Sequence, residues 1–345
     1  MLAFGGWLIS GTALSLSHHP HWYVRGWDFP RVLIAALSLA AGVAYRAFFF
    51  EERWWEIAWL FALGAVICYQ ASRTVAFAPI APKQVQWSTR GRGDCSFRLA
   101  ISNLLQENEE HERWRSVITA VDPDVVVAVE VDEAWRKALE PLRRTHPHVV
   151  ERAQDNYYGM ALFSRLPIRG HELRYLVDRE IPSIRAEIEL ASGDTFALYA
   201  LHPKPPEPIR DQDSAPRDAE LVMVAKEIAR SPETPTVVCG DLNDVAWSDT
   251  TRIFLRLSRL LDPRVGRGLL ATYHANNPIF RFPLDHVFHS AHFKLLQLKR
   301  LPKVGSDHFP VLIELSYEPE TKAEQPQKAP TAEEKEAAEE MVDRA

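Results

Sequence analysis

The run Thr236-Val237-Val238-Cys239 offers no charged face in either direction, and it stops in Gly240 followed by Asp241-Leu242-Asn243-Asp244. A short β-branched segment of this kind suits a strand covered on both sides, so the chain must supply a layer above it and another below. Gly240 permits a tight bend that throws Asp241 and Asn243 off the strand end. Strand ends and the loops beyond them are where sheets carry chemistry. A carboxylate and a carboxamide two residues apart suit a metal ion and a phosphate held together. Alone, Asp-x-Asn after a strand is more often an ordinary turn, and it gains meaning only from the other strand ends.

The same arrangement recurs along the chain. Residues 97–102 and 125–131 read as strands ending near Asn103 and Glu130. Between them Trp114, Val117, Ile118 and Val121 recur at helical spacing. Asp122-Pro123-Asp124 breaks that helix, and residues 132–144 form a charged one. Residues 160–163, 184–190 and 195–201 read as strands, the last two joined by a hairpin over Ala191-Ser192-Gly193-Asp194. The loop from His202 through Pro203, Pro205, Pro206 and Pro208 is extended and stiff. Leu221, Val222, Ala225 and Ile228 mark a helix. Residues 250–261 mark another, with Arg252, Arg256 and Arg259 on a face that reads as solvated or else as a place to meet anionic lipid. Strands over 284–288, 293–299 and 311–315 finish the domain. This α/β pattern suits two sheets packed face to face with helices outside.

The first 77 residues differ in kind. Residues 2–17 carry no charge, residues 32–50 only Arg46, and residues 54–72 only Glu56. Each segment is near the ~20 residues a spanning helix needs. Trp22, Tyr23, Trp27, Trp54, Trp55 and Tyr69 lie near the segment ends, as an aromatic belt would. Residues 1–77 are therefore expected to form about three transmembrane helices of a multi-pass cell-membrane protein, with the lipid bilayer as a partner. A linker (78–96), the main domain (97–317) and a disordered charged tail (318–345) follow. The large domain shares its side of the membrane with Arg25, Arg31, Arg73, Lys83, Arg90, Arg92 and Arg98, so the positive-inside rule leans cytoplasmic, and loss of one span would reverse it.

The formal net charge is −6, of which the tail, with nine acids and four bases, carries most. The near-neutral body weighs against a protein that grips nucleic acid mainly through its phosphates. The tail buries too little to fold alone, although Thr331 and Glu334 could cap a short helix there. Cys68, Cys95 and Cys239 show neither metal nor redox spacing. No protein partner is inferable.

Asn103, Glu130, His202, the pair Asp241 and Asn243, and the group Asp285, Asp307 and His308 all fall at or just past a strand end, and strands of one sheet that end this way make a polar cleft. In order, Asn103, Val129-Glu130-Val131, Gly159-Met160-Ala161-Leu162-Phe163-Ser164-Arg165, Leu201-His202-Pro203, Gly240-Asp241-Leu242-Asn243-Asp244, Leu284-Asp285-His286-Val287-Phe288 and Ser306-Asp307-His308-Phe309-Pro310-Val311 resemble the motifs of the endonuclease/exonuclease/phosphatase (deoxyribonuclease I-like) superfamily. The resemblance spans roughly residues 97–315. It implies a four-layer αββα sandwich and a Mg²⁺-dependent (or Mn²⁺-dependent) hydrolase of phosphate esters.

Glu130 matches the family's main metal ligand, with Asn103 beside it and Asp307 as a further carboxylate. Asp241 would orient and deprotonate the attacking water, and Asn243 would steady it and a phosphate oxygen. Asp285, bonded to the far nitrogen of His308, would favour its charged ring. His202 would contact a phosphate oxygen or protonate the leaving alkoxide. Which proton belongs to His202 and which to the His308 pair stays open at this stage, and His286 and His289 read as bystanders. Many relatives carry a second acid where this chain has Leu105, which implies a leaner site built for one ion. The function expected is a membrane-anchored phosphodiesterase or phosphomonoesterase acting on a lipid head group or other small phosphoester. A tethered nuclease is the alternative, and an inactive scaffold a further one. The loop Asp155-Asn156-Tyr157-Tyr158 and residues 203–210, with Lys204 and Arg210, are expected to shape specificity.

Overall fold

A computed structural model of the chain describes residues 1–208, 211–325 and 327–345; Arg210 lies outside them. One sheet runs in the order β10 (Phe293–Arg300), β11 (Val311–Tyr317), β1 (Ser96–Asn103), β2 (Val125–Val129), β4 (Met160–Ser164) and β3 (His148–Arg152). The other runs β5 (Ile168–Arg174), β6 (Ser183–Glu189), β7 (Thr195–Ala200), β8 (Thr236–Asp241) and β9 (Asp285–His289). Alternation of side chains sorts each strand between two cores. Leu99, Ile101, Val127 and Leu162 face Leu198, Val237, Cys239 and Val287 between the sheets. The intervening Ala100, Val126, Ala128 and Phe163 meet Trp114 of α5 (His111–Val121) and Trp135 of α6 (Glu133–Leu139). On the far side Tyr199, Val238 and Phe288 meet Leu221 and Ala225 of α7 (Ala215–Ala229) and Phe254 of α8 (Asp249–Ser258). The result is the expected αββα sandwich.

Two neighbouring pairs are parallel, β1 with β2 and β7 with β8; the other pairings are antiparallel. Parallel strands need crossovers, and α5 and α7 supply them. Each parallel pair therefore ends on the same edge, which sets Asn103 beside Glu130 and His202 beside Asp241.

The sequence pattern misses β3 and β5, whose segments HVVER and IRGHELR form an edge of the first and of the second sheet and are only partly buried. Edge strands rich in charge show no apolar alternation. The segment 78–96 is not a free linker: Val85 is fully buried in the core between the sheets, and Gln86 and Ser88 exchange backbone hydrogen bonds with Leu295 at 2.9 and 2.8 Å. The tail differs from expectation as well. Helix α9 (Ala332–Asp343) opens on a capping box of Thr331 and Glu334 and packs Ala338 against Val222 and Ile253, and Glu334 pairs with Arg252 and Arg256. Charge that looked solvating is here a set of partners for α8, so the stripe of Arg252 and Arg256 is not simply solvated.

The N-terminal region is helical: α1 (Leu2–Ser15), a short α2 (Trp22–Arg25), α3 (Arg31–Phe48) and α4 (Trp54–Thr74). By length and composition α3 and α4 suffice to cross a membrane. At ~1.5 Å per residue α1 falls short of the ~30 Å hydrocarbon core. It packs Leu8 with Trp27, Ile34 and Val66. Much of the apolar surface of α3 and α4 is exposed, including Val43, Phe48, Trp54 and Phe61.

Candidate active site

Gly240 sits at φ +134°, and a Cβ there would lie 2.0 Å from the Leu201 carbonyl oxygen. Only glycine lets β8 approach so closely. The approach brings His202 Nε2 to 3.9 Å from Asp241 Oδ2. From the other sheet Asn103 Nδ2 donates to Glu130 Oε1 at 2.7 Å and to Asp241 Oδ2 at 3.0 Å, bridging the two carboxylates. The Gln106 backbone N–H donates to Glu130 Oε2 at 3.1 Å. Glu130, Asn243 and Leu105 have φ of +62°, +51° and +59°. Left-handed backbone at non-glycine residues is strain that the surrounding fold must hold, and it gathers at sites of function.

Beyond Asp241, the Asn243 amide donates to the Asp241 carboxylate at 3.0 Å and its side chain to the Pro203 carbonyl at 2.9 Å. Buried Arg217 of α7 donates to the Asn243 carbonyl at 2.8 Å and pairs with Asp218 and Asp244, which fixes this turn. At the end of β9, Asp285 Oδ2 lies 2.7 Å from His308 Nδ1, and His308 Nε2 lies 3.5 Å from Asp241 Oδ2. The Thr272 hydroxyl accepts the Asp285 amide at 3.2 Å, and the Tyr273 ring lies 4.9 Å from that of His308. Asp307 lines the same cleft. Seven of the eight side chains singled out in the sequence thus line one hollow of about 320 Å³, and the eighth, Asp285, stands behind His308. His286 instead bonds the Asp244 carbonyl at 2.9 Å and Arg264 at 2.7 Å, and His289 the Ser290 carbonyl at 2.9 Å.

Burial costs a charged group its hydration, and here the neighbours decide the outcome. Burial pushes Glu130 up to about 7 despite its two hydrogen bonds. It pushes His202 down to about 4, leaving a neutral ring whose Nδ1 is buried without a partner. Burial also opposes charge on His308, but the carboxylates of Asp285 and Asp241 prevail and push it up to about 10. Asp241 itself is raised by burial, with His308 opposing.

A divalent cation fits this donor set. Among the described residues lining the cleft there is no Lys or Arg, whereas Glu130, Asp241 and Asp307 all face it. The amide nitrogen shared by Glu130 and Asp241 marks where positive charge is wanted. Ligand atoms of Asp241, Asp285 and His308 also lie within 4.8 Å of one another. His308, however, is bonded at Nδ1 and held protonated by its carboxylate neighbours, and an imidazolium does not ligate. That trio is an ion-paired relay, and Glu130, Asn103 and Asp307 are the better oxygen donors for a hard cation.

No strand-end pattern or motif pointed to Arg217, Gln106, Tyr273 or Phe29. Phe29, from the turn before α3, walls the cleft and packs edge-on against Phe282 at 5.6 Å. The residue before it, Asp28, accepts the Trp247 indole N–H through its carbonyl at 2.6 Å. Tyr157, Tyr158, Pro205 and Pro206 line the cleft from the two loops expected to shape specificity.

The chain belongs to the Endonuclease/Exonuclease/phosphatase family, whose pattern it matches over residues 86–308. Members of this family are mostly hydrolases of phosphoester bonds and depend on divalent metal. Among solved structures it resembles the catalytic domain of human Nocturnin with bound sulfate (18% identity, 66% of this chain and 96% of that one, TM-score 0.53). It also resembles D. rerio TDP2 complexed with single strand DNA product (18%, 65% and 100%, 0.53). A third is an endonuclease/exonuclease/phosphatase from Beutenbergia cavernae (17%, 65% and 72%, 0.53). At such identities the likeness is one of fold. A comparison with curated proteins finds no match.

Proposed function

We propose that the chain is a membrane-tethered, Mg²⁺-dependent phosphoester hydrolase acting on a lipid head group or another small phosphoester. The observation that carries this reading is the cleft itself: carboxylates and two histidines converge on a hollow that no Lys or Arg lines among the described residues, a surplus of negative charge that a metal cation would offset when a phosphate enters. Glu130, Asn103 and Asp307 would hold that ion, which would neutralise phosphate charge when bound. Asp241, raised by burial, is suited to take a proton from an attacking water, and Asn243 sits on the same turn to steady it. His308 stays protonated at neutral pH, so its Nε2–H is the donor toward the charge gathered at phosphorus and the leaving oxygen. His202, neutral in its buried place, contributes a hydrogen bond rather than a charge.

Two features favour the membrane and a small substrate. Helices α3 and α4 meet the length and hydropathy of spans, and Phe29, at the foot of α3, is part of the cleft wall. With α1 too short to span, α3 and α4 alone still leave Arg25, Arg31, Arg73 and the cations of residues 83–98 on the domain side, so losing that span does not reverse the orientation, and the excess favours a cytoplasmic catalytic domain. Among the described residues no Lys or Arg lines the cleft, which favours a small substrate over a long nucleic-acid backbone.

The test is the full chain in lipid vesicles, assayed with Mg²⁺ and with EDTA against phosphoinositides, bis-p-nitrophenyl phosphate and plasmid DNA. Expected are EDTA-sensitive hydrolysis of the small and lipid esters, and a loss of about 10²-fold or more in Asp241→Asn and His308→Ala. Turnover that ignores both substitutions sinks the assignment. Salt-sensitive cleavage of DNA alone would select the tethered nuclease.

A further inference from the structure

A second cavity, of about 310 Å³, lies where the end of α4 meets α8. Its floor is apolar, formed by Phe77, Trp247 and Leu255, and its rim is cationic, formed by Arg73, Arg252, Arg256 and Lys328. Two carboxylates answer these four cations. Asp249 takes Arg73 and Arg252, and Glu334 of α9 takes Arg252 and Arg256. Lys328 has no ion pair among the described residues, and Arg252 Nε is buried without a hydrogen-bond partner. A buried guanidinium N–H left unpaired is costly, and an anionic oxygen would relieve it.

Depth along α4 selects the anion. Arg73 lies in its last turn and Phe77 in the 3-10 turn that follows, at the end nearest the domain, and beside them Val75 and Ile80 are 56% and 93% exposed. If α4 spans a bilayer, as the tethered reading has it, this cavity stands at head-group level. An apolar floor under a cationic rim matches the phosphate and glycerol of a phospholipid better than a free ion, which would leave the floor bare. We infer that the cavity binds the head group of an anionic phospholipid, at a site separate from the catalytic cleft. The inference rests on the tethered part of the proposed function and not on its chemistry.

The test uses the full chain in neutral detergent with EDTA, following thermal unfolding with dioctanoyl phosphatidylglycerol, dioctanoyl phosphatidylcholine or inorganic phosphate. A ligand that binds only the folded state raises the unfolding temperature, here by about 3 °C or more near saturation. Expected is a rise with phosphatidylglycerol alone. It should vanish in Arg252→Gln/Lys328→Gln and persist in Asp241→Asn. Should the double variant fold poorly, Lys328→Gln alone, at an exposed and unpaired position, should cut the rise by about half. An equal rise with phosphatidylcholine or phosphate, a rise that survives these substitutions, or one lost in Asp241→Asn each overturns the inference. Absence of phosphoester turnover would undo the catalytic reading and leave this binding result standing.

Discussion

Asp285 holds His308 Nδ1 at 2.7 Å, and this contact governs which form of the imidazole meets the substrate. Burial favours the neutral ring, yet the paired carboxylates keep it charged up to about pH 10. A raised basic group stabilises the fold fully below its unfolded value of ~6.5 and ceases to do so as pH climbs through about 10. In Asp285→Asn the opposing carboxylate is gone, so the alkaline limb of kcat should move to lower pH, and an NMR titration of His308 should move with it. An unchanged limb would mean that another group supplies the proton. Gly240→Ala tests the neighbouring geometry, because its Cβ would meet the Leu201 carbonyl at 2.0 Å. The expected cost is about 1–3 kcal/mol of stability, with loss of turnover as His202 and Asp241 are pushed apart; denaturant midpoints and kcat measure the two effects. These residues were legible because each lies near one end of an apolar strand, His202 and Asp241 at the ends of β7 and β8, Asp285 at the start of β9 and His308 shortly before β11. Arg217 and Phe29 were not, since what makes them part of the site is their partners, 26 residues away for the Asn243 carbonyl and farther still for Phe282.

Elements read from the sequence in proportion to how much of them is buried. The central strands were plain, whereas β3 and β5, at the edges, and α9, whose Ala337, Met341 and Val342 are only partly buried around Ala338, were not. What the pattern lacks, ion pairs supply. Burial works against charge on Asp249 at the start of α8, but Arg73 and Arg252 hold its carboxyl at about 2. That contribution, on the order of 2 kcal/mol, is present above the unfolded value near pH ~4 and lost as pH falls toward about 2. Asp249→Asn should therefore lower the unfolding temperature at pH 7 and abolish most of the drop between pH 4 and 2. Glu220 on α7 runs the other way. Burial pushes it up to about 8, so the fold resists ionising it and loses stability as pH rises from ~4.5 to about 8. In Glu220→Gln that slope should disappear, with the gain over the parent widening across this window and level above it. A parallel pair of melting curves would refute the buried, neutral carboxyl.

At the scale of the whole molecule, the helical region and the sandwich share a wall of the cleft. Asp28 is fixed by Arg25 and Arg31, its carbonyl takes the Trp247 indole, and Phe29 beside it lines the same hollow as Asn103, Glu130 and Asp307. Trp247 in turn lies on the loop that Asp241 and Asn243 begin. A bare anchor could be removed without consequence for a water-soluble substrate, but a wall could not. The chain lacking residues 1–77 keeps every polar group of the site. It loses Phe29, the partner of Trp247 and the Arg73 pair with Asp249. An unpaired buried indole N–H alone costs about 1–3 kcal/mol, and the loop it belongs to carries the catalytic turn. Turnover of bis-p-nitrophenyl phosphate by the truncated chain should then fall by about 10-fold or more, with a lower unfolding temperature. In the full chain, Phe29→Ala should raise KM more than it lowers kcat, because it removes cleft wall and no reacting group. If the truncated chain matched the full one in kcat/KM on the soluble ester, the helices would be an anchor only, and the joint cleft would have no part in the chemistry.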